Sequence, residues 1–479
     1  MSLNRILTRK RLGLLLGPFF FALIFWQVIP TEGLSETGRA VLASTLWIAT
    51  WWMSEAIPIS ATSLLPIVIL PITGGAPINQ TTAAYGDKML FLFVGGFIIA
   101  IAMQKWNLHK RIALSIIHAI GGKAHTLILG FMLATGFLSM WISNTATTLM
   151  MVTIAIALIS QTKEYLNESG SAFFKALLLS IAFSSSIGGV ATLIGTPTNP
   201  IFVAIAQELY GVDISFIDWM IFALPFSIFM LVVTWLVLTR WVFKVHRLEL
   251  PVGQEMIKQE LKKMGKMSFE EKTIAWVFGL VALAWITRSF LLDPLIPGIN
   301  DTTIAIAGAL LLFIWPSSRP GQHILTWDEA ERLPWGIIIL FGGGLSLAAA
   351  FESSGLAQWL GMQLSNANNL PLFALIVLVT LSVNFLTEVT SNVATASIAL
   401  PILAALASAI GVNPYLLMVP ATMAASCAFM LPVATAPNAI VFGSGHLEIQ
   451  DMVKSGIWLN LISTLLIAIL VYFLVPIVL

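Results

Sequence analysis

Charge is what this chain has least of. Only 10% of its 479 residues are Asp, Glu, Lys or Arg, while 58% are hydrophobic. A soluble domain carries roughly 25% charged residues, so a water-facing globular surface is excluded. Cysteine is nearly absent: Cys427 stands alone, which excludes an intrachain disulfide, a cysteine-built zinc site and a cysteine-held cluster. The six histidines fall near segment ends, and no pair has metal-ligand spacing. With a formal net charge of +1, nothing electrostatic points to nucleic acid. No nucleophile–base set and no cofactor motif is legible, so the chain does not read as an enzyme.

What is there is one apolar run after another, from Leu12 to Leu479. Runs of this length make an all-α polytopic membrane protein. We place eleven crossings near 12–29, 40–54, 57–72, 89–104, 173–210, 218–243, 273–292, 302–315, 335–352, 415–443 and 457–478. Two further apolar segments, 124–160 and 371–410, are placed as re-entrant hairpins that return to their own side. The first run follows Arg9-Lys10-Arg11 and ends in Pro30-Thr31-Glu32-Gly33. It is longer than the ~7–15-residue core of a signal peptide, so it reads as a retained span.

The basic residues test this topology. With the N-terminus in the cytoplasm and the C-terminus outside, internal segments collect 5–11, 105–123, Lys163, Lys175, the 240–272 cluster, Arg319, Arg332 and Lys454. Of the 24 Lys and Arg, only Arg39, Lys88 and Arg288 fall outside. That is the expected inward bias. Treating either hairpin as one crossing puts a basic cluster on the wrong side.

The two ends of the chain echo each other. Phe93-Val94-Gly95-Gly96-Phe97 answers Phe341-Gly342-Gly343-Gly344-Leu345, 248 residues on, and Ser143-Asn144 answers Ser391-Asn392 at the same spacing. Gly195-Thr196-Pro197-Thr198-Asn199 answers Ala434-Thr435-Ala436-Pro437-Asn438 at 239. Three matches in order divide the chain into a first repeat, 1–250, a cytoplasmic linker, 251–272, and a second repeat, 273–479. Five crossings separate the hairpins, so the repeats have opposite orientation, an arrangement of transporters. The hydrophilic stretch around 246–272 reads as a plain linker, with a membrane-surface amphipathic helix as the alternative.

Polar residues held in hydrocarbon are unfavourable unless satisfied. Ser143-Asn144-Thr145 and Ser391-Asn392-Val393 are such residues. Interhelical hydrogen bonding explains one such triplet, but the matched pair favours ligand binding at two hairpin tips. Unpaired N–H and C=O groups at helix ends there suit anions and cations respectively. The stretches 195–200 and 434–438 must break their helices, because prolines cannot sit in a helix interior. Gly95-Gly96 and Gly342-Gly343-Gly344 read as close-packing contacts. Glu55 and Glu388 are the acids nearest membrane depth; Glu388 is a candidate for a proton relay, and Glu55 for an interfacial residue. No Arg or Lys is placed deep in a span, so an anion must be held by amides, hydroxyls, helix ends and co-bound cations.

With its paired tips, and with the 425–441 stretch that includes Ser426, Pro432, Thr435, Pro437 and Asn438, the chain resembles the divalent anion/sodium symporter family, the INDY-type carboxylate transporters. The resemblance covers essentially the whole chain. It implies a homodimer in a bacterial cytoplasmic membrane, each protomer having a scaffold and a mobile domain that moves like an elevator. It implies one sodium site at Ser139, Ser143, Asn144 and Gly195 and another at Thr387, Thr390, Asn392 and Ala434. It also implies that a C4 dicarboxylate (succinate, malate or fumarate) lies near Asn144, Thr145, Thr196, Asn392, Val393 and Ala436, with sodium as the coupling ion. Val393 and Ala436 depart from the residues some members carry there. A sodium-independent anion exchanger on the same fold, and a proton-coupled antiporter, are the alternatives.

Overall fold

The computed structural model describes the backbone of residues 3–162, 169–245, 253–364 and 370–478. Lys163, His246 and residues 251–252 of the linker lie outside the described residues. Among the described residues every regular element is helical, and the one β contact is an isolated bridge between Pro316 and His323. Eight helices among the described residues are long and apolar enough to cross a membrane, the longest being Ile449–Val478. The chain is thus an all-α polytopic membrane protein.

Shorter apolar helices include Ala124–Ser139, Leu372–Thr387 and Tyr415–Ala425. At 1.5 Å per residue the first two, of 16 residues each, reach about 24 Å, short of the ~30 Å hydrocarbon layer. Each is followed, after a few non-helical residues, by a 19-residue helix, Asn144–Thr162 or Asn392–Ile410.

The helix breaks expected from proline are present. The 173–210 run divides into Ser169–Val190 and Thr198–Tyr210. Pro197 is the N-cap of the second piece and Pro200 lies in its first turn, where a missing N–H leaves no bond unmade. The 415–443 run divides into Tyr415–Ala425 and Ala436–Gly443, with Pro437 again in the first turn.

The glycine runs are packing contacts. A Cβ on Gly95 would stand 2.7 Å from Ala305 Cβ, and one on Gly343 2.6 Å from Ser63 O. Neither position has room for any other residue.

The linker differs from a plain connector. Residues Gly253–Lys263 form a helix that buries Met256 and Ile257 and packs on helix Leu108–Ile120. Arg111 fastens it, donating to Met264 O at 3.2 Å and Gly265 O at 2.8 Å while pairing with Glu271 at 2.7 Å. Two buried apolar side chains and a guanidinium with four hydrogen bonds are what order this stretch.

Two of the three basic residues that run against the charge bias are also consumed. Lys88 and Arg288 both reach Asp213, at 2.7 and 3.5 Å, and Arg288 also pairs with Asp301 at 3.0 Å. Burial pushes the Asp213 carboxyl up, but hydrogen bonding and attraction from Lys88 and Arg288 outweigh it and hold the carboxyl below its ordinary range.

Candidate substrate and cation site

Four helices begin at one cavity. It encloses about 960 Å³ and is lined by the two turns that carry Ser143-Asn144 and Ser391-Asn392, called tips below, and by both helix breaks. Helices Asn144–Thr162, Thr198–Tyr210, Asn392–Ile410 and Ala436–Gly443 all start beside it. A helix N-terminus carries about half a positive charge, so four of them supply roughly two. Ser391 and Pro197, the N-caps of two of these helices, make no side-chain capping bond, which leaves first-turn N–H groups open. Together these features form a place for a dianion without a buried Lys or Arg.

The cavity gathers all six residues expected at the substrate: Asn144, Thr145, Thr196, Asn392, Val393 and Ala436. Of the eight expected at cations, Ser143, Asn144, Gly195, Thr390, Asn392 and Ala434 also line it. Ser139 and Thr387 are fully buried behind the tips, at 0% exposure.

Behind each tip a hydroxyl meets the tip asparagine five residues on. Ser139 Oγ meets the side-chain amide of Asn144, and Thr387 Oγ1 donates to Asn392 Oδ1 at 2.7 Å. Around Asn144 the surroundings are all oxygen. The inner atom of its amide lies 3.2 Å from Gly195 O and 3.2 Å from Ser185 O, and close to Ser139 Oγ. With nitrogen inward the amide donates to them; with oxygen inward the same cage converges on a point suited to a cation. Thr387 Oγ1 also lies 2.9 Å from Ala425 O. One hydroxyl proton cannot serve both acceptors, so this second cage likewise has more oxygens than hydrogens. Thr390 is turned elsewhere, with its Oγ1 2.6 Å from Thr395 Oγ1 and donating to Leu386 O at 2.8 Å.

The breaks are held open by one device used twice. Asn199 Nδ2 donates to Gly189 O, Val190 O and Thr192 O at 3.3, 3.1 and 2.7 Å. Asn438 Nδ2 donates to Ala428 O and Leu431 O at 3.1 and 3.0 Å. Each asparagine reaches back ten and seven residues, tying carbonyls that the broken helix leaves unpaired.

Glu388 is held by four hydrogen bonds. Its carboxylate accepts from Phe429 N at 2.7 Å, Met430 N at 2.9 Å, Leu431 N at 3.0 Å and Asn460 Nδ2 at 2.7 Å. The three backbone donors tie the turn after helix Leu372–Thr387 to the break between Tyr415–Ala425 and Ala436–Gly443, and Asn460 ties it to helix Ile449–Val478. In the first half Met140 stands at the matching position, and Thr192 Oγ1 donates to its carbonyl instead.

Several contributors escaped the sequence reading. Ser185 Oγ donates to Asn144 O at 3.0 Å. Ser426 Oγ joins the two breaks, at 2.8 Å from Thr198 Oγ1 and 3.4 Å from Thr196 Oγ1. The Ser184-Ser185-Ser186 run in apolar surroundings was the available signal for the first. Ser426 lies inside the 425–441 motif. Arg9 and Lys10 also line the cavity, although the sequence marks them only as a topology signal.

Such a fold and cavity define a class, the polytopic membrane proteins whose interrupted helices meet at a common site. The chain belongs to the family described as the sodium:sulfate symporter transmembrane region, which it matches over residues 9–478. It is 48% identical over 473 residues to the sodium-dependent dicarboxylate transporter SdcS of Staphylococcus saprophyticus, covering 97% of this chain and 91% of the relative. To SdcS of Staphylococcus aureus strain MRSA252 it is 49% identical over 482 residues, covering 98% and 92%. Two solved structures share the fold at low identity. One is Neisseria gonorrhoeae MtrF, with a TM-score of 0.61 at 12% identity, covering 93% of this chain and 96% of that one. The other is the Alcanivorax borkumensis YdaH transporter, at 0.61 and 14%, covering 90% and 98%.

Proposed function

We propose that this chain takes up a C4 dicarboxylate together with sodium across a bacterial cytoplasmic membrane. The observation that carries the reading is the convergence of four helix N-termini, for the dianion, beside two oxygen cages, for cations. The relatives named above as sodium-dependent dicarboxylate transporters support the choice of substrate and ion. Asn144, Thr145, Thr196, Asn392, Val393 and Ala436 hold the anion. Ser139, Ser143, Asn144 and Gly195 hold one sodium, and Thr387, Thr390, Asn392 and Ala434 the other, with Ser185 and Ala425 contributing oxygens; Thr390 serves through its carbonyl, its hydroxyl being engaged by Leu386 O. Thr145 presents a hydroxyl where Val393 presents methyl groups, so the two ends of the anion meet different chemistry.

The architecture we infer is eleven crossings and two re-entrant hairpins in inverted repeats, 1–250 and 273–479, joined by the linker at 251–272. The equivalent asparagine ties and hydroxyl–asparagine pairs of the two halves support it. The N-terminus is cytoplasmic, as the basic residues indicate. The cavity's outer lining (Arg9, Glu55, Ile337, Gly443 and Ile449) comes from cytoplasmic ends in that topology, so it opens inward. An elevator movement of the tips and breaks against the remaining helices, in a homodimer, completes the proposal.

Sodium has an energetic role. Moving one charge through 100 mV takes ~2.3 kcal/mol, so a dianion entering an inside-negative cell alone needs ~4.6 kcal/mol. Two sodium ions cancel that term. Labelled succinate uptake into proteoliposomes tests the reading. Uptake driven by an inward sodium gradient, with no internal dicarboxylate, is expected. Uptake that ignores sodium and requires internal dicarboxylate identifies an exchanger instead.

A further inference from the structure

Among the described residues, the cavity's charged lining consists of Arg9, Lys10 and Glu55. Deep in the site an anion meets partial charges of helix ends and hydroxyls. The full positive charges on its path therefore stand at the mouth. Both belong to the first turns of helix Leu3–Phe25.

Arg9 is exposed, and its guanidinium donates to Val389 O at 3.1 Å and to Met53 O. Val389 lies two residues before Ser391, so this cation sits against the second tip. A guanidinium carries five donors in a planar fork that matches a carboxylate. Two carbonyls leave part of that fork free. Lys10, half-buried beside it, adds a second point charge. Glu55, in the left-handed conformation at the end of helix Glu36–Ser54 with φ 51°, faces the same space and lowers the net charge there. A modest net positive charge suits capture followed by release, since a station on a path must bind weakly enough to let go.

We propose that Arg9 and Lys10 form a second, transient carboxylate-binding station at the inner mouth of the cavity. A dicarboxylate rests there between the hairpin tips and the cytoplasm. This rests on the transport reading above and on its inward-facing orientation.

The test compares labelled succinate uptake into everted vesicles, which present the inner face, and right-side-out vesicles, which present the outer face. Sodium is constant and ionic strength is varied with choline chloride. In the wild type the inner-face KM should rise with ionic strength, as screening of exposed charges requires. The double variant Arg9→Gln/Lys10→Gln should show an inner-face KM raised by about tenfold and insensitive to salt, with the outer-face KM unchanged. Arg9→Lys, which keeps the charge, should restore most of the salt response. An unchanged inner-face KM in the double variant, or equal changes at both faces, overturns the station. So does loss of uptake at both faces, which makes these residues structural. Absence of sodium-driven uptake in the wild type overturns instead the transport reading beneath it.

Discussion

Replacing Glu388 by glutamine separates a structural clamp from a proton carrier. Oε1 accepts from Phe429 N, Met430 N and Asn460 Nδ2, and Oε2 accepts from Leu431 N. Glutamine retains one acceptor oxygen, so three bonds persist but lose their charge assistance. The new amide nitrogen faces Leu431 N–H, donor against donor, in a site 3% exposed. Bonds to a charged group contribute about 1.5–3 kcal/mol and neutral ones about 1. One lost bond and three weakened ones come to about 3–5 kcal/mol. Heating purified protein in detergent and following the monodisperse fraction should show half-loss at least ~5 °C below wild type. The ratio of variant to wild-type uptake should be the same at acidic and alkaline pH. Half-loss within a degree of wild type would refute the clamp. A variant that loses only the pH dependence of transport would restore the proton-relay alternative.

Asn199→Ala and Asn438→Ala should each lower the same half-loss temperature by a few degrees, since each strands one buried carbonyl, Gly189 O or Ala428 O, at about 1–3 kcal/mol; Asn→Asp at either site should be worse than Ala, because it adds an acceptor among acceptors. Gly189→Ala should raise the sodium concentration for half-maximal uptake at least ~5-fold, as its Cβ would stand 2.6 Å from Asn144 Oδ1 and overpacking of this kind costs about 1–3 kcal/mol. An unchanged sodium requirement would place Asn144 outside the cation site. Glu329, between spans, pairs with Lys105 at 2.7 Å. Burial pushes its carboxyl up, but hydrogen bonds from Lys105 and Thr326 outweigh that and hold it below the ordinary range. A depressed carboxyl stabilises the fold above its unfolded value of about 4.3, and that stability is lost as pH falls through the folded value. Heat resistance should therefore drop in this acid range, and Glu329→Gln should show less of the drop; an identical profile in the variant would refute the pairing.

The site was legible where polarity breaks an apolar pattern. Asn144 and Asn392 announce themselves because hydrocarbon disfavours free amides, and Pro197 and Pro437 because each stands in a cluster of polar residues; proline alone is no such signal, since Pro225, Pro401 and Pro420 sit inside helices. What makes the site work is less visible. Ser185 and Ser426 look like ordinary helix serines until the fold brings them against Asn144 and Thr198. The clamp on Glu388 is invisible in sequence because three of its partners, the N–H groups of Phe429, Met430 and Leu431, are backbone and carry no side-chain signature. In sequence Arg9 is only a topology signal, since nothing in its neighbours indicates that helix Leu3–Phe25 brings it within reach of Val389, 380 residues later. The sequence offers a helix in the linker only as an alternative, and not its docking on the protein, because its composition is hydrophilic and its buried apolar anchors are two residues, Met256 and Ile257. Long-range pairing of this kind is a property of the tertiary fold and not of any local period.

The central claim is that the two tips bind sodium and a dicarboxylate as one site. Equilibrium binding of labelled succinate to the purified protein, in sodium and in choline, tests it most directly. Binding should appear only with sodium. Asn144→Ala and Asn392→Ala, each removing an oxygen ligand, should raise the sodium requirement at least ~10-fold. Succinate binding of equal strength in choline, or unchanged sodium dependence in both variants, would contradict the account.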